Sequence, residues 1–169
     1  QCGCTIVAPG HSARDLYGEL IKDGYMIEAK PFSIGVRAEH LQTELDRAMY
    51  GDESLWEKLG HAEYALSHRQ GERGVYTFCM CPGGEVVAAA SEEGGVVTNG
   101  MSRRARHGKN ANPAVAVSVL PSDFGGDPLG AIEFQRKLER AAYKAGGGKY
   151  AAPCQSIGAF LSGKSGGFG

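Results

Sequence analysis

The chain is 169 residues long, carries a formal net charge of −1 and is 42% hydrophobic. This length suits one domain that buries its own core, and the composition excludes a disordered tail. The near-zero charge argues against a dedicated nucleic-acid binder, and no apolar run is long enough to span a bilayer or to form a signal peptide.

Five cysteines, an odd number, are distributed over the chain. An odd count in a chain of this size is typical of a reduced, cytoplasmic protein. Cys79 and Cys81 fall in one predicted strand, where alternate side chains share a face about 7 Å apart, too far for an easy disulfide. Structural zinc sites usually space their cysteines by two to four residues, so we predict no metal site. We interpret both as small buried hydrophobes, with a ligand-facing redox thiol as the alternative.

The apolar run at residues 5–9 predicts the first strand. A turn through Gly10 and His11 follows it, and then a helix that ends at Gly24. Ser12 is the predicted N-cap, with Asp15 three residues later as in a capping box. A strand, a glycine turn and a helix N-terminus together offer backbone N–H groups to an anion. The same pattern also describes a plain connection inside a core, and the sequence leaves both interpretations open.

Hydrophobic periodicity predicts the remaining elements. They are a strand at 33–39, a helix at 41–50, a short helix at 53–59, strands at 64–68, 75–81, 85–90, 95–99 and 114–120, and a helix at 128–145. In the helix at 41–50 we expect Leu45, Ala48 and Met49 to face inward. Short glycine connections after the strands at 75–81 and 85–90 imply an antiparallel meander. The prediction is a single α+β domain over residues 1–169, with packed helices and an antiparallel or mixed sheet that could be barrel-like.

The only dense cationic cluster lies in a predicted loop at residues 103–109. It consists of Arg103, Arg104, Arg106, His107 and Lys109. This basic loop is either a solvated surface or a contact for a phosphate or carboxylate, helped by the amides of Asn110 and Asn112. Nucleic-acid binding is less favoured because no aromatic residues are interleaved with the charges.

Residues 158–165 match the letters of a phosphate-binding loop. That chemistry needs a strand before the loop and a helix after it, and only four residues follow Ser165, so we predict no such site. The sequence also contains no nucleophile elbow and no His-Glu metal pattern. Gln1 stands where an initiator methionine is expected, and the C-terminus is rich in glycine. Both features are expected of a piece of a longer protein.

Six segments together resemble one protein family. They are APGHSARD (8–15), KPFSIGVRAEH (30–40), GVYTFCMCPGGEVVAAASEEGGVVTNGMS (74–102), ARHGKNAN (105–112), EFQRKLERAAY (133–143) and GGGKYAAPCQ (146–155). In these segments the chain resembles the FAD-dependent dehydrogenases, also called NAD(FAD)-utilising dehydrogenases, which are bacterial and archaeal flavoproteins. The resemblance covers essentially the whole chain.

The resemblance implies a two-part protein. A Rossmann-like domain binds FAD through a Gly-x-Gly-x-x-Gly fingerprint, and an inserted domain covers the flavin and shapes the substrate site. This chain lacks the fingerprint, so it resembles the inserted substrate or cap domain together with one flanking strand of the FAD domain at residues 5–9. The implied partners are the rest of the parent flavoprotein and an undefined small-molecule substrate, with NAD(P)H as a candidate electron donor. Alone, the chain is expected to be inactive and free of FAD.

The resemblance also implies roles for particular residues. Those expected beside the cofactor are Gly10, His11, Ser12, Arg14, Pro82, Gly83, Gly84, Lys109, Asn110 and Asn112. The catalytic candidates are Cys79, Cys81, His11 and Lys109. The alternative is a non-enzymatic module that binds a protein or a nucleic acid through the basic loop, between Arg103 and Lys109.

Overall fold

Two antiparallel sheets organise the chain in the computed structural model, which describes residues 3–165. The helices are α1 (Asp15–Lys22), α2 (Gln42–Tyr50), α3 (Trp56–Leu59), α4 (Pro128–Ala145) and α5 (Ile157–Leu161), with short 3₁₀ turns at Glu53–Leu55 and Pro121–Phe124. The strands are β1 (Phe32–Arg37), β2 (His40–Leu41), β3 (Ser67–Gln70), β4 (Arg73–Cys81), β5 (Gly84–Ala89), β6 (Val97–Ser102) and β7 (Asn110–Val119). The predicted α+β class is therefore confirmed.

Strand β7 is the centre of the main sheet. The strand order is β1-β7-β4-β3, and β2 pairs with the beginning of β7. The valines that alternate through the second half of β7 suit a strand that is paired on both edges. Strands β5 and β6 form a separate two-stranded sheet.

The predicted antiparallel meander is confirmed for β5 and β6, which pair with each other, but it is wrong for β4, and the described residues form no closed barrel. Strand β4 pairs with β3 and β7, not with β5. Its ladder with β7 shifts register between Phe78 and Cys81, and Pro82 follows at once. Proline has no N–H to donate to a ladder, so β4 ends there and the chain leaves the main sheet.

The beginning of the chain departs from the sequence prediction. Residues 5–9 form no strand among the described residues, and Ile6 is 88% exposed. A strand needs a neighbour to satisfy its backbone groups, and none of the described strands pairs with this segment. The predicted N-cap is also wrong, because α1 begins at Asp15 after Arg14, with no side-chain cap, and Ser12 instead contacts His11.

The inward face predicted for α2 is wrong for Ala48 and Met49, which are exposed, whereas Leu45 is half-buried. The residues that α2 buries are Gln42 and Asp46, while Met49 is 56% exposed. The helices predicted at 41–50 and 128–145 are nevertheless confirmed, and the strand predicted at 64–68 begins only at Ser67. In α2 the periodicity therefore identified the helix and Leu45, but not its two most buried residues, because both of these are polar.

A buried ion network joins α1, α4 and the connection between β5 and β6. The guanidinium of Arg14 bonds both carboxylate oxygens of Glu139, at 2.7 and 3.0 Å, and also contacts Glu92 at 3.1 Å. Arg14 is 6% exposed, and Gln135 accepts another of its hydrogen bonds. Arg136, which lies in α4, forms a second ion pair with Glu92 at 2.7 Å. Arg14 thus ties the beginning of α1 to α4 and to the β5–β6 connection.

Replacing Arg14 by Met should lower the free energy of unfolding by about 3–5 kcal/mol, because Glu139 would remain buried without its partner. Urea denaturation measures this change. The control is Lys22→Met, which removes an exposed pair with Glu19 and should cost at most about 1 kcal/mol. Equal effects of the two substitutions would show that the Arg14 network does not stabilise the fold.

The same network predicts a loss of stability in acid. The pKa of Glu92 is lowered from 4.5 to about 2, chiefly because Arg136 donates to its carboxylate; partial burial opposes this effect and Arg14 adds to it. Since its pKa is lower in the folded state, Glu92 stabilises the fold above pH 4.5, and this stabilisation is lost as the pH falls toward 2.

Measured by urea denaturation across that range, Glu92→Gln should be less stable than the wild type at pH 6 and should lose less stability on acidification. The control Glu19→Gln, at an exposed pair, should keep the pH dependence of the wild type. Parallel curves for Glu92→Gln and the wild type would contradict the prediction.

Candidate functional site

The turn at residues 82–84 is enclosed by the protein itself. Pro82, Gly83 and Gly84 are all buried. Gly83 has a φ of +59°, and a Cβ there would lie 1.7 Å from the carbonyl oxygen of Arg106. The N–H of Gly108 donates to the carbonyl of Gly83 at 3.1 Å. Only glycine permits both this conformation and this approach, so the turn and the basic loop pack as one unit.

A relay of buried polar side chains supports the turn from α2. The N–H of Gly83 donates to Gln42, whose amide donates to Asp46 at 2.9 Å. Asp46 is fully buried and also accepts from the backbone of Ala62 at 2.7 Å and from Nδ1 of His61 at 2.8 Å. Burial pushes the pKa of Asp46 upward, but these hydrogen bonds together outweigh it and the pKa lies below its usual value. Asp46 is therefore a buried carboxylate held as an acceptor.

The base of the basic loop is anchored, whereas its tip is exposed. Arg106 pairs with Glu63 at 3.2 Å, and the ring of His107 packs edge-on against Trp56 at 5.5 Å. Trp56 also stacks on the ring of His61, with centroids 4.5 Å apart. The side chains at the tip are exposed and form no ion pair with any of residues 3–165; they are Arg103, Arg104 and Lys109. The loop thus presents cations from a fixed base.

A second polar cluster lies where β1, β4 and β7 meet. Nη1 of Arg37 contacts the carbonyl oxygens of Cys79 and Asn112, each at 3.0 Å, and the side-chain oxygen of Asn112 at 2.9 Å. It also lies 3.8 Å from Sγ of Cys81. A Cβ at Gly100 would lie 2.4 Å from Oδ1 of Asn112 and 2.7 Å from that sulfur, so β6 can pass here only as glycine. This cluster unites three strands with the β5–β6 sheet.

Two nitrogens of this cluster have no acceptor within residues 3–165. They are Nδ2 of the fully buried Asn112 and Nε of Arg37. Buried polar groups are usually hydrogen-bonded, and an unpaired one costs about 1–3 kcal/mol. Buried polar groups without a partner are few in native proteins, and each one calls for an explanation such as strain, a functional role or a bound water or ion.

Cys79 has a strained backbone, as Arg106 of the basic loop also does. It is exposed, has a φ of +51° and lies within the register shift of β4. A residue other than glycine adopts this conformation only when its surroundings hold it there, and here Arg37 binds its carbonyl. The interpretation of both thiols as buried hydrophobes is therefore wrong for Cys79, while Cys81 is half-buried.

The structure brings most of the predicted site residues into one region. These are Cys79, Cys81, Pro82, Gly83, Gly84, Lys109, Asn110 and Asn112. Asn110 donates to Glu39, which also accepts from the backbone of Val86. Gly10, His11 and Ser12 are exposed residues before α1, and the hydrogen bonds of Arg14 go to the ion network.

Sequence reasoning missed four residues of this region. They are Arg37, Gln42, Asp46 and His61. In the sequence Arg37 alternates with the apolar Ile34 and Val36, a pattern typical of an exposed side chain, and α2 was interpreted through its apolar residues. The spacing of Gln42 and Asp46 by four residues, one turn of a helix, was the available signal.

The described residues also bear on three other features considered in the sequence. Gly158 lies inside α5, and the residues directly before this helix, 151–156, form no strand, so the phosphate-loop letters do not form a phosphate loop. Residues 3–165 contain no group of three or more His, Cys, Asp or Glu side chains suited to a metal ion. None of the described helices combines the length and the apolar character that crossing a bilayer requires.

Replacing Gly83 by Ala should lower the free energy of unfolding by about 3 kcal/mol or more, since it adds a backbone clash to the strain of positive φ. The matched control is Gly71→Ala, because Gly71 has a φ of +60° and open space where a Cβ would lie. That variant should lose only about 1–2 kcal/mol. Similar losses in thermal unfolding would exclude the close approach as a constraint.

This chain is similar to a protein family and to a known protein. The family described as "FAD-dependent protein, C-terminal domain-like" matches residues 31–167. A protein of Clostridium beijerinckii, described only as uncharacterised, is 50% identical over 163 residues, which is 95% of this chain and 31% of that protein. The chain thus spans about a third of the length of this relative. On this evidence the chain belongs to the family of C-terminal-like domains of FAD-dependent proteins.

Proposed function

We propose that the chain is the substrate or cap domain of a FAD-dependent oxidoreductase of the dehydrogenase type. In this proposal the exposed side chain of Cys79, near the end of β4, faces the flavin ring or the substrate. The family supports an association with FAD. The observation that carries the proposal is the backbone of Cys79, which is exposed, strained and fixed by Arg37. Strain of this kind clusters at functional sites, and strand irregularities often lie beside active sites.

The residues present fit one edge of a flavin. Lys109 offers an exposed cation in this region, and Cys79 offers an exposed thiol. The donor Nδ2 of Asn112 is fully buried, so it lies out of reach of a ring at the surface. The dinucleotide part of FAD is usually held by a Gly-x-Gly-x-x-Gly turn, which this sequence does not contain. The chain therefore fits the ring but not the pyrophosphate, which the rest of the parent protein would hold.

When bound, FAD supplies the hydride chemistry. The contribution of this chain is orientation and charge. Arg37 fixes the carbonyl of Cys79 and so sets the direction of the thiol, while the fixed base of the basic loop holds Lys109 in position. A cation beside a ring favours the negative charge that develops there during reduction. NAD(P)H as the electron donor and the location of the protein in the cytoplasm remain part of this proposal.

A second candidate function is a module that binds a protein or nucleic acid through the basic loop. The observation that favours it is the charge pattern, because no Asp or Glu occurs between Glu93 and Asp123. The side chains of Arg103 and Arg104 are exposed there. Binding to nucleic acid that weakens steeply with added salt would favour this candidate over the first.

Alkylation of the full-length parent tests the leading proposal. With FAD bound, Cys79 should react with iodoacetamide at least about tenfold more slowly than after FAD is removed, because a bound ring would cover an exposed thiol. Mass spectrometry measures each thiol separately. Cys154 is the internal control, since it is also exposed but lies after α4, and it should react at the same rate in both forms.

A parent protein that contains no flavin absorbance as purified, and takes up none from added FAD, would overturn the proposed function. Equal reactivity of Cys79 with and without FAD would remove this residue from the flavin site.

A further inference from the structure

One face of the main sheet is apolar and has little cover. The register places Ile34 and Val75 on either side of Val117, and Val36 beside Val115 in the next row. Since alternate residues of a strand share a face, these five side chains lie together. We call them the valine face.

Helix α4 and the 3₁₀ turn at Pro121–Phe124 cover the end of this face that lies beside Phe32. The ring of Phe32 packs against Phe124 at 5.7 Å and against Phe134 at 6.2 Å. Val119, the partner of Phe32 in the register, is accordingly buried. The covered end shows how this side of the sheet excludes water where a partner is present.

Beyond that end Val36, Val75 and Val117 are open to solvent, whereas Ile34 and Val115 are half-buried. Val36 is 67% exposed, and Val75 and Val117 are each 36% exposed. The β5–β6 sheet does not cover them, because its Gly100 approaches Arg37, which points to the opposite side of β1 from Val36. Soluble proteins rarely leave contiguous apolar patches of this kind in water unless the patch is an interface.

We propose that the valine face is the surface on which this domain docks against the remainder of its own polypeptide. The inference rests on the proposed two-part arrangement. The relative from Clostridium beijerinckii has 69% of its length outside the part that this chain covers, and the family is defined as a C-terminal-like domain. A second part of the same chain is therefore available at high effective concentration.

The chemistry of the face defines the partner surface. The five side chains are aliphatic and carry neither charge nor hydrogen-bonding groups, so the complementary surface is apolar and is neither a nucleic acid nor a charged peptide. Three of the five are valines on the two central strands, whose rigid side chains pack well against a second apolar layer. Docking thereby places a second layer over the open side of the sheet, and stable domains are built of such packed layers.

Labelling of single introduced cysteines in the full-length parent tests this inference. We compare Val36→Cys and Val117→Cys with Lys137→Cys, a control on the exposed side of α4. A maleimide should label the two face positions at least about tenfold more slowly than the control, because proteins react where local opening or exposure admits the reagent. Peptide mass spectrometry separates these sites from the natural thiols.

Each outcome decides the inference. Face positions that are labelled as fast as Lys137→Cys would overturn it. The inference would also be overturned if the two face positions lost their protection from the maleimide on dilution of a dimer to a monomer, with the oligomeric state measured by sedimentation. The occupant of the face would then be a second copy of the chain. The flavin absorbance of the same samples is read separately, so a flavin-free parent with a protected face would reject the proposed function and keep the docking surface.

Discussion

The close approach of two backbone segments, at Gly83 and at residues 106–108, is the constraint on which the rest of the structure depends. It joins the end of β4 to the connection between β6 and β7 by direct contact of main-chain atoms. Gln42 holds the same turn from the other side through its side chain. Three segments that are far apart in sequence therefore share one point, and a change at that point would displace all of them.

Polar groups, rather than large apolar ones, occupy the most buried positions around this point. Three of these fully buried side chains are Gln42, Asp46 and Asn112. Gln42 and Asp46 bond each other and backbone groups, His61 also bonds Asp46, and Arg37 donates to Asn112, so that one amide nitrogen alone among these three side chains lacks a partner within residues 3–165. Buried polar networks stabilise a fold only when nearly every member has a partner, so they impose one arrangement on the segments that they join. The same principle applies at the other end of the molecule, where Arg14 and Glu139 fix α1 to α4.

This arrangement connects the fold with the proposed function. A rigid polar cluster supports the strained backbone of Cys79 at the edge of the sheet, and the basic loop is anchored to the same turn. One side of the sheet then remains apolar and open at Val36. A domain with a pre-organised polar edge and an unpaired apolar face is suited to cover a ligand that another part of the polypeptide holds.

The sequence by itself determined the α+β class, the helices at 41–50 and 128–145 and most strands, because these follow from local periodicity and from glycine and proline positions. It also identified the region from Cys79 to Asn112 as the distinctive one. Only the tertiary structure decided that β4 pairs with β7, that α2 buries Asp46 and that Arg37 supports Cys79. These are contacts between residues distant in sequence, and a polar side chain looks the same in a sequence whether it faces water or a buried partner.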